Sequence, residues 1–174
     1  TISQTGNVTA GGDGIVIETL DVSDNVVTLA DGVIQGGTEG AGVSFQTTTG
    51  STNVLTTNAA VTISALGGSA IIGGDGDDTV NNAGTMIGTI DLGTGVNAFN
   101  NLAGATTQVS ETVVVGDGNA FTNAGRVIAA NEGAVATTAV TGNMVQADTG
   151  TLVVDLDLGA GTADLLDITG TASV

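Results

Sequence analysis

The feature that most constrains this chain is a motif that recurs at a nearly constant interval between positions 72 and 130. Val80-Asn81-Asn82-Ala83-Gly84, Phe99-Asn100-Asn101-Leu102-Ala103-Gly104 and Phe121-Thr122-Asn123-Ala124-Gly125 align, and their closing glycines are almost equally spaced. Each is preceded by a Gly-x-Gly: Gly74-Asp75-Gly76, Gly93-Thr94-Gly95 and Gly116-Asp117-Gly118. Short apolar runs stand before these, namely Ile71-Ile72, Ile90-Asp91-Leu92 and Val113-Val114-Val115. A unit this small, with two or three short strands and glycine corners, has no means of burying its own apolar face. Stacking one unit on the next merges the faces into a continuous core. The sequence therefore predicts an all-β, single-stranded right-handed parallel β-helix (a solenoid) with about 20 residues per coil.

Composition agrees. Apolar residues make up 41% of the 174, mean hydropathy is +0.38, and proline, which would remove ladder donors, is absent. Asn82, Asn101 and Asn123 fall at equivalent places. They read either as a ladder of stacked amides running along the axis or as ordinary turn asparagines. The segment before position 70 is less regular. Asp13-Gly14-Ile15-Val16-Ile17 and Asp31-Gly32-Val33-Ile34 recur at a spacing of 18, and Val43-Ser44-Phe45, Asn53-Val54-Leu55 and Val61-Thr62-Ile63 alternate as strands do. These are expected to form further coils, eight or so in all and about 40 Å long at ~4.8 Å per strand. A left-handed β-helix would run on shorter repeats. A β-sandwich would have turns every 8–12 residues but no cause for whole motifs to recur at about 20.

Charge narrows the function. Eighteen acids face one base, Arg126, for a net charge of −17. Such a surface repels phosphate backbones and anionic lipid, so nucleic acid is not an expected partner. There is no apolar run of about 18 residues to span a membrane as a helix. Without histidine or cysteine there is no Ser-His-Asp triad and no His- or Cys-ligated zinc site.

Beyond residue 142 the texture changes, and we divide the chain into β-helix coils at 1–142 and a C-terminal cap at 143–174. Thr151-Leu152-Val153-Val154-Asp155-Leu156-Asp157-Leu158 alternates with Leu152, Val154, Leu156 and Leu158 on one face. Gly150 to Asp157, followed by Gly161-Thr162-Ala163-Asp164-Leu165-Leu166-Asp167-Ile168-Thr169-Gly170-Thr171-Ala172, resembles the end of the passenger domain of a bacterial autotransporter (type V secretion), where the β-helix runs into the autochaperone region. The Gly-x-Gly and Asn-Ala-Gly coils are similar to passenger repeats as well. The resemblance implies a non-catalytic structural or adhesive module at the bacterial cell surface. It would be tethered to the outer membrane by a C-terminal barrel outside this segment, and its partner would be a host surface, a glycan or a second copy of itself.

Two chemical alternatives compete with this reading. Gly73-Gly74-Asp75-Gly76-Asp77-Asp78-Thr79-Val80-Asn81 fits the calcium-binding nonapeptide, with Asp75, Asp77 and Asp78 as candidate Ca²⁺ ligands. A calcium β-roll needs that nonapeptide in tandem, whereas its nearest relatives here recur at about 20 and lose their acids. The second alternative is a polysaccharide-degrading β-helix using Asp155 and Asp157, or Asp164 and Asp167, as acid and base. Arg126 alone would be left to bind an acidic substrate. Our reading expects no resident cofactor and no catalytic residues. Arg126 itself is expected to pair with a carboxylate on an adjacent coil.

Overall fold

The computed structural model describes residues 1–174. The chain forms a parallel β-solenoid of three sheets and no helix. Sheet A stacks Ile2–Gln4, Asn25–Leu29, Thr52–Thr57, Asp77–Asn82, Ala98–Asn101, Ala120–Asn123, Asn143–Gln146 and Ala172–Ser173. Sheet B stacks Val8–Thr9, Gly32–Gly36, Val61–Ala65, Thr85–Ile87, Thr106–Val109, Arg126–Ala129 and Thr151–Val153. Sheet C stacks Ile15–Glu18, Ala41–Gln46, Ser69–Ile72, Thr89–Asp91, Thr112–Val114, Thr137–Thr141 and Leu165–Ile168. Each coil visits A, B and C in turn, so every strand of these three sheets pairs in parallel with its copy in the next coil. The ladders run past residue 142 through all three sheets without a break.

Strand alternation decides which side chains enter the core. In sheet A the inward column is Val27, Leu55, Val80, Phe99, Phe121 and Met144, each stacked on its counterpart one coil away. Ile34, Ile63 and Met86 do the same in sheet B, and Val43, Ile71, Ile90, Val113 and Val140 in sheet C. These columns meet in one buried apolar cluster. Phe99 and Phe121 pack at 5.1 Å between ring centroids with planes tilted 51°, a separation at which aromatic pairs attract.

Coil length is less uniform than the sequence repeat suggests. The axial offset is 19 residues from Asn82 to Asn101, 22 from Asn101 to Asn123 and 23 from Asn123 to Gln146. Earlier coils take 28 residues from Asn25 to Asn53 and 25 from Asn53 to Asp78, because their corners are longer. The spacing of 18 between Asp13-Gly14 and Asp31-Gly32 is not a coil. Ile15–Glu18 lies in sheet C on Ala41–Gln46, while Gly32–Gly36 lies in sheet B.

Two further details differ from expectation. Gly84 and Gly125 occupy the same corner position, immediately before Thr85 and Arg126, but their partner there is Ala105, next to Thr106. Gly104 sits one place earlier because its corner carries two extra residues, and it takes φ +85°. The Leu152–Leu158 alternation is not one strand. Only Thr151–Val153 joins sheet B. Leu156–Asp157 instead forms a short antiparallel hairpin with Thr162–Ala163, outside the stack. Leu156 and Leu158 are exposed there.

Candidate functional site

The buried polar groups form two axial ladders. In the first, Thr57 Oγ1 donates to Asn82 Oδ1 at 3.0 Å, Asn82 Nδ2 to Asn101 Oδ1 at 3.1 Å, Asn101 Nδ2 to Asn123 Oδ1 at 2.9 Å, and Asn123 Nδ2 to Gln146 Oε1 at 3.0 Å. The asparagine column is thus a ladder of stacked amides, with Thr57 and Gln146 as ends that the sequence reading did not include. Each amide also bonds the entry into sheet B. Asn101 Nδ2 reaches Arg126 O at 3.1 Å, and Asn101 Oδ1 accepts Thr107 Oγ1 at 2.9 Å. Asn82, Asn101 and Asn123 are essentially inaccessible to solvent, a position that a polar group occupies only when its bonds are made.

The second ladder runs through the acidic motif. Asn25 Nδ2 donates to Asn53 Oδ1 at 2.7 Å, Asn53 Nδ2 donates to Asp78 Oδ1 at 2.6 Å, and the Asp78 amide donates to Asn97 Oδ1 at 2.9 Å. Asp78 is thus a carboxyl group in a column of asparagines, fully buried, and its Oδ2 has no hydrogen-bond partner. Loss of hydration pushes its pKa up from 3.8 to about 6. Hydrogen bonds from Asn53 and the Gly74 backbone oppose the rise, and the neighbouring Asp77 charge adds to it.

Strand parity separates the three candidate calcium ligands. Asp77 and Asp78 are consecutive on one strand and face opposite sides, Asp78 inward with Val80 and Asn82. Asp77 Oδ1 accepts the Val96 amide at 2.7 Å, and Asp75 Oδ1 accepts Thr94 Oγ1 at 3.1 Å. Each outer carboxylate therefore fastens its coil to the next. The glycines between them are set by stacking. A Cβ on Gly76 would stand 2.9 Å from Asn53 Nδ2, and one on Gly95 (φ +113°) would stand 2.3 Å from Gly76 O. The Gly-x-Gly pattern here answers to close approach of backbones from successive coils. No three acidic, histidine or cysteine side chains converge as a metal-binding group.

The acids considered for polysaccharide cleavage hold the C-terminal hairpin. Asp155 Oδ2 accepts the Gly133 amide at 2.6 Å. Asp164 accepts the Ala136 amide at 2.9 Å through Oδ1 and the Asp155 amide at 2.8 Å through Oδ2. Asp157 Oδ1 accepts the amides of Gly159 and Ala160 in its own turn, and Asp167 is exposed on sheet C. An open depression of about 710 Å³ lies between this hairpin and the 133–135 corner, lined by Gly133, Val135 and residues 155–158. Arg126 pairs with Glu132 at 3.6 Å, in the corner that follows its own strand and not on an adjacent coil as expected. Both groups are substantially exposed, so the pair is worth roughly 0–1 kcal/mol.

Sequence reasoning missed the inward Asp78. Two signals carried it: its parity with Val80 and Asn82, and its place one coil from Asn53 and one from Asn97. No family model, curated protein or solved structure matches this chain.

Proposed function

We propose that this chain is a non-catalytic structural and adhesive module of an autotransporter passenger, displayed at the bacterial cell surface. The observation that carries this reading is the use made of the polar chemistry. The buried amides are committed to axial ladders, and Asp13, Asp75, Asp77, Asp155 and Asp164 bind backbone amides or hydroxyls of neighbouring segments. Groups held this way serve to keep coils in register, and a rod of stacked coils sets whatever it carries at a distance from its anchor. The C-terminal resemblance supports the same assignment. There the parallel ladder ends beside a hairpin clamped by Asp155 and Asp164.

The test uses the full gene in its host. An antibody to this segment is expected to label intact cells, surface protease is expected to remove the epitope, and deletion is expected to weaken attachment to surfaces or to other cells. An epitope found only after lysis would overturn the assignment. So would cleavage of uronate polymers by the purified chain that disappears in Asp155→Asn or Asp164→Asn.

A further inference from the structure

The eighteen acids are not spread evenly around the rod. Asp13, Glu39, Glu111, Glu132, Asp155, Asp157 and Asp164 occupy the corners between sheets B and C, and Glu18, Asp91 and Asp167 the strands of sheet C. Asp21, Asp24, Asp75 and Asp117 stand at the corners leading into sheet A and Asp77 at the first, marginal position of its strand Asp77–Asn82, with only Asp31 and Asp148 on its far side. Between these two rims the outer face of sheet A carries no charge. One rank reads Thr28, Thr56, Asn81, Asn100 and Thr122, and the rank beside it Val54, Thr79, Ala98 and Ala120. These side chains are small and solvent-accessible, and Asn100 Nδ2 is bonded to Asn81 Oδ1 at 2.9 Å along the axis. Sheet B offers a competing rank of Thr62, Thr85 and Thr106, but Arg126 and its partner Glu132 interrupt it. Covering that rank would strip water from an ion pair.

We propose that the outer face of sheet A binds a second copy of this chain, with the two solenoids side by side and parallel. This deepens the reading as an adhesive module by naming one partner and the face that receives it. Charge argues for the occupant: two chains of −17 each can come into contact over a long surface only where neither presents acids. Charge also selects the orientation. A two-fold axis along the rod sets the five-acid rim of one copy opposite the two-acid rim of the other. A two-fold axis across the rod would set five-acid rim on five-acid rim. Eight strands at ~4.8 Å span about 34 Å, and four to five residues at ~3.3 Å give a width of about 15 Å. Each copy then covers about 500 Å², roughly 1,000 Å² in total, which is the lower bound for a specific interface. The dimer is accordingly weak and strengthens as salt screens the rims.

Sedimentation of the purified chain from about 10 μM to about 1 mM is expected to show a reversible monomer–dimer equilibrium, with more dimer at high salt than at low salt. Asn100→Asp with Thr122→Asp is expected to leave only monomer, while Thr62→Asp with Thr106→Asp on sheet B leaves dimerisation intact. Circular dichroism of both variants checks that they keep the β fold. If the sheet A pair unfolds the chain, the single Thr56→Asp variant serves in its place. A spin label at Ser3→Cys, the lone thiol in a chain that has none, reports the orientation. In parallel rods the two labels sit at one axial level, and facing sheets pack about 10 Å apart, so a separation under about 20 Å is expected. Antiparallel rods would place the labels at opposite ends of sheet A, near the about 34 Å spanned by eight strands. Monomer at every concentration and salt, dimer lost only through sheet B, or the long label distance would each overturn the proposal. Surface labelling of cells tests the display reading separately, so the two fail independently.

Discussion

Replacing Asp78 with asparagine should stabilise this protein at neutral pH, an unusual outcome for a fully buried polar residue. In the folded chain the Asp78 carboxyl titrates at about 6, against 3.8 for the free side chain. A raised acid pKa means that the folded state holds a proton which the unfolded state has released. Stability from this group is complete below about pH 3.8, falls as pH rises, and is gone above about pH 6. The shift corresponds to about 3 kcal/mol at pH 7, at about 1.36 kcal/mol per pKa unit. An asparagine in its place would keep the bond from Asn53 through its Oδ1, cannot ionise, and leaves the same second atom unpaired as Oδ2 is now. The Asp78→Asn chain should therefore be about 3 kcal/mol more stable at pH 7.5, or melt roughly 6–12 °C higher for a domain of this size. The advantage should fade towards zero near pH 4. Thermal and urea melts of both chains, followed by circular dichroism from pH 4 to 8, measure the difference directly. The seventeen other acids are common to both chains and cancel. A variant that is less stable at pH 7.5, or a difference that does not change with pH, would refute the reasoning.

Other substitutions have expected outcomes of their own. Asn101→Ala removes the centre of the amide ladder and takes one hydrogen-bond partner each from Asn82, Asn123, Thr107 and Arg126 O, which should cost about 1–3 kcal/mol. Urea midpoints should put it well below Asn100→Ala, which cuts a partly exposed bond and should cost under about 1 kcal/mol. Phe121→Ala opens the Phe99 stack and should cost about 3–5 kcal/mol in the same assay. Gly95→Ala forces a Cβ onto Gly76 O at a positive φ and should lower the melting temperature by several degrees. Because Asp75 and Asp77 are already engaged with the next coil and Asp78 faces inward, adding calcium or a chelator should leave the melting temperature unchanged. A rise of more than a few degrees with calcium would revive a metal site at residues 73–81.

What could be read in the sequence was whatever repeats in register. Asn82, Asn101 and Asn123 fall in one column because strand positions are held by hydrogen bonds to the coil on either side. The corners have no such constraint. They absorb insertions, so offsets range from 19 to 28 residues and Gly104 slips out of line with Gly84 and Gly125. The Asp-Gly-apolar signature at 13–15 and 31–33 misled for a related reason. It marks entry into a strand from any corner, and these two corners lead to different sheets. Leu156 and Leu158 misled because alternation describes a strand without naming its partner. Asp164 accepts the Asp155 amide and closes an antiparallel hairpin there instead. Proximity in sequence pairs Asp155 with Asp157 and Asp164 with Asp167, but it does not reveal the amides on the 133–136 corner, one coil earlier, that Asp155 and Asp164 hold.

The central claim is that successive coils lie parallel and directly above one another, and spin-label ranging tests it without reference to function. Val33, Thr106, Arg126 and Thr151 share one outward rank of sheet B. With Val33→Cys as the fixed site, partners at Thr106→Cys, Arg126→Cys and Thr151→Cys lie three, four and five strands away, so the account predicts distances of about 14, 19 and 24 Å at ~4.8 Å per strand. Three values rising in equal steps would match stacked coils. Distances that fail to grow in that order, or a Thr151 label nearer to Val33 than the Thr106 label, would contradict the solenoid.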